Sequence, residues 1–319
     1  MENKLLALLD EAETVAISGH VRPDGDCVGA CMALYHYVKD NYCETEVSVF
    51  LEPIAESYKV IDGTEKIISD SSEDKKFDLF IALDCGDKKR LGPFSKYFDA
   101  SVKTLCIDHH ISNVYFADEN IVCPDASSTC EVLADLFEDD VLDECARALY
   151  MGIICDTGCF KYTNTSRHTM EIAGSLIEKG VHTEKMMDEV FFAKTYMQQK
   201  ILGECLLSSE LYLDGAVIVS KAARGLLEKY GAASSDLEGV IDQLRLAKGS
   251  QAAILMTENT DGSWKLSMRS RDKVNVSEIA VGFGGGGHIK AAGATITGDI
   301  DVCLSQVIEK IEEQLKNND

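Results

Sequence analysis

Three short β-rich runs in the first 110 residues each lead straight into a cluster of aspartate and histidine. Residues 14–18 run into His20-Val21-Arg22-Pro23-Asp24-Gly25-Asp26, residues 78–83 into Asp84-Cys85-Gly86-Asp87, and residues 103–107 into Asp108-His109-His110. Another β-rich run covers 45–50, and a helical pattern begins near Asp26 with Val28, Met32, Leu34, Tyr35 and Val38 on its apolar side. Strands alternating with helices imply a doubly wound parallel sheet. Ligands of such sheets bind beyond the carboxyl ends of the strands. The three clusters are therefore expected along one edge, joined by Asp156 from the later segment Cys155-Asp156-Thr157-Gly158.

Taken alone, a histidine with two aspartates is also what a capped helix start looks like. Gathered together, so many carboxylates would raise one another's pKa and oppose folding unless cations lay among them. A mixed histidine and carboxylate set suits divalent manganese, or a similar borderline-hard ion, better than a thiolate zinc site. The twelve cysteines include no CxxC pair, and they read as reduced, buried small hydrophobes. Cys27, Cys85 and Cys155 each adjoin a candidate ligand, following Asp26 and Asp84 and preceding Asp156, so bulky modification of these thiols is expected to disturb the metals.

At 319 residues the chain has room for two cores. Residues 127–210 read as mostly helical, interrupted from Gly152 to Thr165, with a connecting helix or helix pair over 184–207. A second, α+β unit follows, with strand-like stretches over 210–220 and 252–269, and a hairpin turn at Thr260-Asp261-Gly262-Ser263. A helix through Val240, Ile241 and Leu244 is capped from Ser234, Ser235 and Asp236. Gly284, Gly285, Gly286 and Gly287 form a loop before His288, then come a strand at 294–297 and a terminal helix. The expected division is a metal-binding domain over 1–183, a helical linker over 184–209 and a substrate-binding domain over 210–319. Clustered glycine N–H groups bind anions, yet neither a Walker Lys-Ser/Thr nor a dinucleotide-type βα turn accompanies them. His288 beside the loop and Ser267-Met268-Arg269 on the preceding strand strengthen a phosphate-holding reading.

The formal net charge is −23, from 54 acidic and 31 basic residues. Tight binding of long duplexes rests on many Lys/Arg–phosphate contacts, so such partners are not expected. A short phosphorylated substrate is compatible, because local cations and bound metals outweigh the global field at one site. No apolar run reaches the roughly 18 residues of a membrane span, and the first residues lack the pattern of a secretory signal. A cytoplasmic protein without membrane partners is expected.

At these residues the chain resembles the DHH phosphoesterase superfamily, named for the triplet present here as Asp108-His109-His110. The resemblance extends over nearly the whole chain: His20, Asp24-x-Asp26, Asp84, the triplet and Asp156 match the first domain, and Gly284–Gly287 with His288 match the DHHA1 domain. Arg90-Leu91-Gly92 and Asp156-Thr157-Gly158-x-Phe160 also fit, most closely in the NrnA-like subgroup of oligoribonucleases and 3′-phosphoadenosine-5′-phosphate phosphatases. That resemblance implies two divalent ions, manganese foremost, with His20, Asp24 and Asp84 on one and Asp26, Asp84, His109 and Asp156 on the other. It implies that His110 faces the phosphate or leaving oxygen, that Asp108 orients a histidine, and that metal-activated water hydrolyses the ester. Arg269, Ser267, Gly285, Gly286, Gly287, His288 and Arg90 are the implied substrate contacts. Implied substrates are short RNA, dinucleotides and 3′,5′-bisphosphonucleosides. A cyclic- or linear-dinucleotide phosphodiesterase, or a nucleotide-sensing binding protein, is the alternative, and a homodimer is a family-level expectation.

Overall fold

The computed structural model describes residues 3–137 and 141–317, in two units, Met1–Ala193 and Lys194–Asp319. The first contains α1 (Lys4–Glu11), β1 (Thr14–Ser18), α2 (Gly25–Asn41), β2 (Glu46–Phe50), β3 (Leu79–Leu83), α3 (Ser95–Ala100), β4 (Lys103–Asp108), β5 (Glu119–Val122), α4 (Thr129–Leu136), α5 (Asp143–Thr157), α6 (Arg167–Glu178) and α7 (Thr183–Met187). Its five strands are all parallel, in the order β2-β1-β3-β4-β5. The order reverses between β1 and β3, and sheets of this topology bind ligands at that point.

Side-chain alternation divides the core between the two faces of the sheet. Val15, Ile17, Leu79, Ile81, Leu83, Leu105 and Ile107 pack with Val28 and Met32 of α2 and Leu149 and Ile153 of α5. Ala16, Phe80, Ala82 and Cys106 face the aromatic side chains Phe94, Tyr97 and Phe98. Central β3 is buried along its whole length, which explains its unbroken apolar sequence. β5 was not expected from the sequence: it is a short run whose residues are all only half-buried, so it carries little alternation.

Gly152 does not interrupt the helical stretch. α5 continues to Thr157 and stops at Gly158, whose φ is 57°. Gly152 instead permits close contact with α2, where a Cβ on Gly29 would stand 2.7 Å from the Ala148 carbonyl and 2.9 Å from the Gly152 nitrogen.

The second unit contains α8 (Tyr196–Leu207), β6 (Glu210–Tyr212), β7 (Val217–Ala222), α9 (Arg224–Tyr230), α10 (Val240–Arg245), β8 (Ala252–Glu258), β9 (Trp264–Ser270), α11 (Val276–Val281), β10 (Gly286–His288), β11 (Ala291–Ile296) and α12 (Ile300–Asn317). The stretch 184–207 thus divides between the tail of the first unit and α8 of the second. The six-stranded sheet runs β10-β11-β9-β8-β7-β6, with only β7 and β8 parallel. Leu266, Met268 and Ile254 lie on one face with Ile279, Val307 and Ile311. On the other, Ile218, Ala253 and Leu255 pack with Ile201, Ile241 and Leu244.

Part of the expected four-glycine loop is the edge strand β10. Gly287 has φ 144°, and a Cβ there would lie 2.6 Å from the Ala292 Cα, so only glycine allows β10 this close to β11. Among the described residues, no helix is long and apolar enough to cross a membrane.

The α2–α5 contact yields a stability prediction. Gly29→Ala should destabilise the first unit by about 1–3 kcal/mol through overpacking. Gly174→Ala, inside α6 with nothing within 4 Å of the new methyl, should stabilise it by about 0.4–1 kcal/mol. Urea unfolding of both variants checks the pair; equal shifts would show that the helix crossing is not tight.

Candidate metal centre

β1, β3 and β4 point the same way, so the residues that follow them collect at one edge. Asp84 is the common member. It is 2% exposed with φ 54°, a left-handed conformation that aspartate tolerates better than most residues. Its carboxylate lies 3.4 Å from His20 Nε2, 3.7 Å from His109 Nε2 and 3.5 Å from His110 Nδ1. Asp24 Oδ2 lies 3.6 Å from His20 Nε2. On the other side, His109 Nε2 is 3.3 Å from Asp156 Oδ2 and 4.0 Å from Asp26 Oδ2. The edge therefore brings His20, Asp24, Asp26, Asp84, His109 and Asp156 together.

Backbone carbonyls orient both histidines. His20 Nδ1 lies 2.9 Å from the Val21 carbonyl and His109 Nδ1 3.3 Å from that of Ala126. A ring that donates from Nδ1 presents Nε2, as a metal-binding imidazole does. The helix-start reading of Asp24 also holds: its Oδ1 accepts from Cys27 N at 3.1 Å at the start of α2, leaving Oδ2 toward His20.

Asp26 is held from a distant part of the chain. Its oxygens accept from Thr129 N at 2.7 Å and Cys130 N at 3.1 Å. These are the first residues of α4, whose N-terminal N–H groups need acceptors and whose dipole favours an anion. Thr129 Oγ1 donates to Asp84 Oδ1 at 2.9 Å. Sequence reasoning missed Thr129, although Ser127-Ser128-Thr129 is a helix-start signal.

The charges remain unbalanced. Burial first, then Asp84 and Asp156, raise Asp26 well above the usual carboxylate range. Burial also lifts Asp156, helped by Asp84 and Asp24 against His109, to about 6. Burial opposes charge on His20, yet hydrogen bonds to Asp24 and Asp84 outweigh it and push its pKa up to about 11. Donor atoms of Asp26, His109 and Asp156 lie within 4.8 Å of one another, as do those of Asp84, His109 and His110. Oxygen and imidazole donors converging on surplus negative charge fit divalent cations.

His110 is built differently. Its Nδ1 is 2.7 Å from Asp108 Oδ1, and this bond is the main cause of its raised pKa. Asp108 is fully buried, and Asn113 Nδ2 donates to its Oδ2 at 2.7 Å. Burial works against its ionisation, but the bonds from His110 and Asn113 hold its pKa below the usual value. Asn113 was also missed, though it stands three residues after His110. Arg90 gives its carbonyl to Val21 N at 2.7 Å. Its guanidinium has no ion pair among the described residues, and its charge acts on His110.

Cys27 and Cys85 are fully buried and Cys155 is half-buried. Burial raises all three thiols above the usual range, so they are protonated and poorly nucleophilic. Only Cys155 offers partial access to a modifying reagent.

The remaining candidates lie in the second unit. Strand register aligns His288, Ala291, Arg269 and Ala253 in one row and Gly286, Gly293, Ser267 and Leu255 in the next. Residues directly opposed in antiparallel strands share a face, so His288, Arg269, Ser267 and Gly286 do. Arg269 Nε lies 3.3 Å from Asp242 Oδ1, a partner the sequence did not suggest. Gly285 and Gly287 supply close backbone approach to β11.

The DHH family, N-terminal domain, matches residues 14–153, and the DHHA1 domain matches residues 214–317. The chain is 28% identical over 313 residues to the bifunctional oligoribonuclease and PAP phosphatase NrnA of Thermus thermophilus, covering 94% of this chain and 90% of that protein. It is 25% identical over 302 residues to the protein of the same name from Bacillus subtilis, covering 93% of each. An exopolyphosphatase-related protein from Bacteroides fragilis shares the fold, with a TM-score of 0.85 and 24% identity over 98% of this chain and 96% of that one.

The shared position of Asp84 predicts the outcome of removing its charge. Asp84→Asn should weaken manganese binding at least tenfold, about 1.4 kcal/mol, with an unchanged circular dichroism spectrum. Calorimetric titration measures this; wild-type affinity and stoichiometry in the variant would remove Asp84 from the ligand set.

Proposed function

Because this chain belongs to the DHH/DHHA1 phosphoesterase family, we propose that it is a metal-dependent hydrolase of phosphoester bonds in short oligoribonucleotides and 3′,5′-bisphosphonucleosides. The observation that carries this reading is Asp84, buried between two histidines whose Nε2 atoms both face it. The near full-length match to two relatives named as oligoribonuclease and PAP phosphatase supports the substrate class.

The donor set fits two divalent ions, with manganese the expected metal. His20, Asp24 and Asp84 would hold one, and Asp26, Asp84, His109 and Asp156 the other. When bound, such a pair supplies Lewis-acid stabilisation of phosphate charge and an activated water at neutral pH. The protein's own groups position the ester. His110, with Nδ1 engaged by Asp108, is oriented to present its other nitrogen as a donor to the phosphate or leaving oxygen. Asn113 keeps Asp108 in place for this. Arg90, with no carboxylate partner among the described residues, supplies a planar donor for phosphate oxygens. In the second unit, Arg269, Ser267, Gly286 and His288 form a polar face that recognises the remainder of a short nucleotide, with Gly285 and Gly287 shaping its edge.

A cytoplasmic setting accords with twelve free cysteines, since thiols stay reduced there.

The test is hydrolysis of diribonucleotides, 3′-phosphoadenosine 5′-phosphate, cyclic dinucleotides and a small chromogenic phosphodiester, with manganese and with chelator. Activity should need metal and be greatest on the first two. Arg269→Ala and His288→Ala should each lose roughly ten- to 150-fold in kcat/KM there, as for a charged hydrogen bond, and far less on the chromogenic ester. Metal-independent turnover would overturn the mechanism, a preference for cyclic dinucleotides would overturn the substrate class, and equal losses on all substrates would overturn the recognition role.

A further inference from the structure

The open face of the second unit's sheet extends beyond Arg269. Lys265, Ser267 and Arg269 alternate along β9 with Leu266, Met268 and Ser270, which are buried. All three polar side chains therefore project from the same side of the strand. Thr257, Lys265 and Thr295 form a further register row there. At about 3.4 Å per residue, Lys265 stands ~14 Å along the strand from Arg269, more than one nucleotide unit.

Two adjoining cavities meet at Lys265. One, about 450 Å³, runs along β9 to Arg269 and includes Ser234, Ser235, Thr257 and Asn259. The other, about 460 Å³, lies over Gly284, Gly285 and Thr295 on the β11 side. Asn259 and Lys265 line both.

The two cations of this face differ in charge balance. Arg269 is paired with Asp242. The Lys265 ammonium has no ion-pair or hydrogen-bond partner among the described residues. The carboxylates lining the first cavity are Asp242 and Glu238. An unpaired ammonium among hydroxyl and amide groups, in a chain of net charge −23, is a local exception that favours an anion.

We propose that Lys265 forms a second phosphate subsite, holding the backbone phosphate of a short oligoribonucleotide beyond the one at Arg269. The inference rests on the substrate class proposed above and adds a determinant of chain length. The single internucleotide phosphate of a dinucleotide can meet only one of the two cations, whereas a tri- or tetranucleotide can span both. Asn259, Ser234 and Ser235 are placed to meet the intervening sugar and base edges.

The experiment compares the wild-type enzyme with Lys265→Ala and Lys265→Arg on di-, tri- and tetraribonucleotides. It also measures anisotropy of a labelled tetranucleotide with calcium in place of manganese. For Lys265→Ala, the tetra- to dinucleotide ratio of kcat/KM should fall roughly tenfold, the scale of a lost charged hydrogen bond. Tetranucleotide affinity should fall by a similar factor, and its log–log salt slope should flatten by about 0.7, one phosphate contact on a single strand. Lys265→Arg should retain the ratio and the slope. An unchanged ratio with unchanged affinity and slope overturns the subsite. A wild-type protein that hydrolyses none of these RNAs overturns the substrate reading instead, and the binding arm then decides the subsite: no loss on Lys265→Ala refutes it.

Discussion

Asp26, Asp84 and Asp156 repel one another at the carboxyl edge of the first sheet, and much of the surrounding structure answers that repulsion. The strain is visible in Asp26 and Asp156, both held less acidic than ordinary carboxylates. The start of α4 offsets part of it by donating two backbone N–H groups to Asp26. Thr129 adds a hydroxyl donor to Asp84. His20 and His109 turn their Nε2 atoms inward from rings anchored on backbone carbonyls. Bound cations would offset this repulsion, since they convert a repulsive group of oxygens into an attractive one.

His110 shows how neighbouring residues of one triplet acquire different tasks. His109 is anchored by a neutral carbonyl and faces three carboxylates. His110 is anchored by the ionised Asp108, itself fixed by Asn113. The first environment suits a ligand and the second a charged donor. The difference arises from partners around the triplet, not from the triplet itself.

The acidic surface and the phosphate chemistry are compatible because the cations are local. Arg90 stands near His110 with no carboxylate partner among the described residues, and Lys265 and Arg269 share one face of the second sheet. A net charge of −23 nevertheless disfavours extended polyanions, so few phosphates can be held at once. The thiols beside the candidate ligands lie within the packed core: Cys27, Cys85 and Cys130 are fully buried, and burial raises all three above the usual thiol range.

Four strands of the first sheet, and the Asp and His residues gathered at its carboxyl edge, were legible in the sequence. Apolar runs flanked by Asp and His encode strand, strand end and donor type within a few consecutive residues, as at Leu79–Leu83 followed by Asp84. Local patterns could not reveal what depends on distant partners. Gly152 looked like a helix break but is a contact surface for Gly29, because a glycine's neighbour across a helix crossing leaves no local trace. Gly286 and Gly287 looked like loop and became an edge strand through pairing with β11. The role of Thr129 depends on carboxylates 103 and 45 residues away, and the pairing of Arg269 with Asp242 depends on where α10 crosses the sheet. The sequence by itself determined where the donor types suited to metal and phosphate cluster along the chain, since composition and strand periodicity are local. Tertiary structure decided which were aimed, neutralised or left free, because hydrogen-bond direction and burial exist only once distant segments have packed.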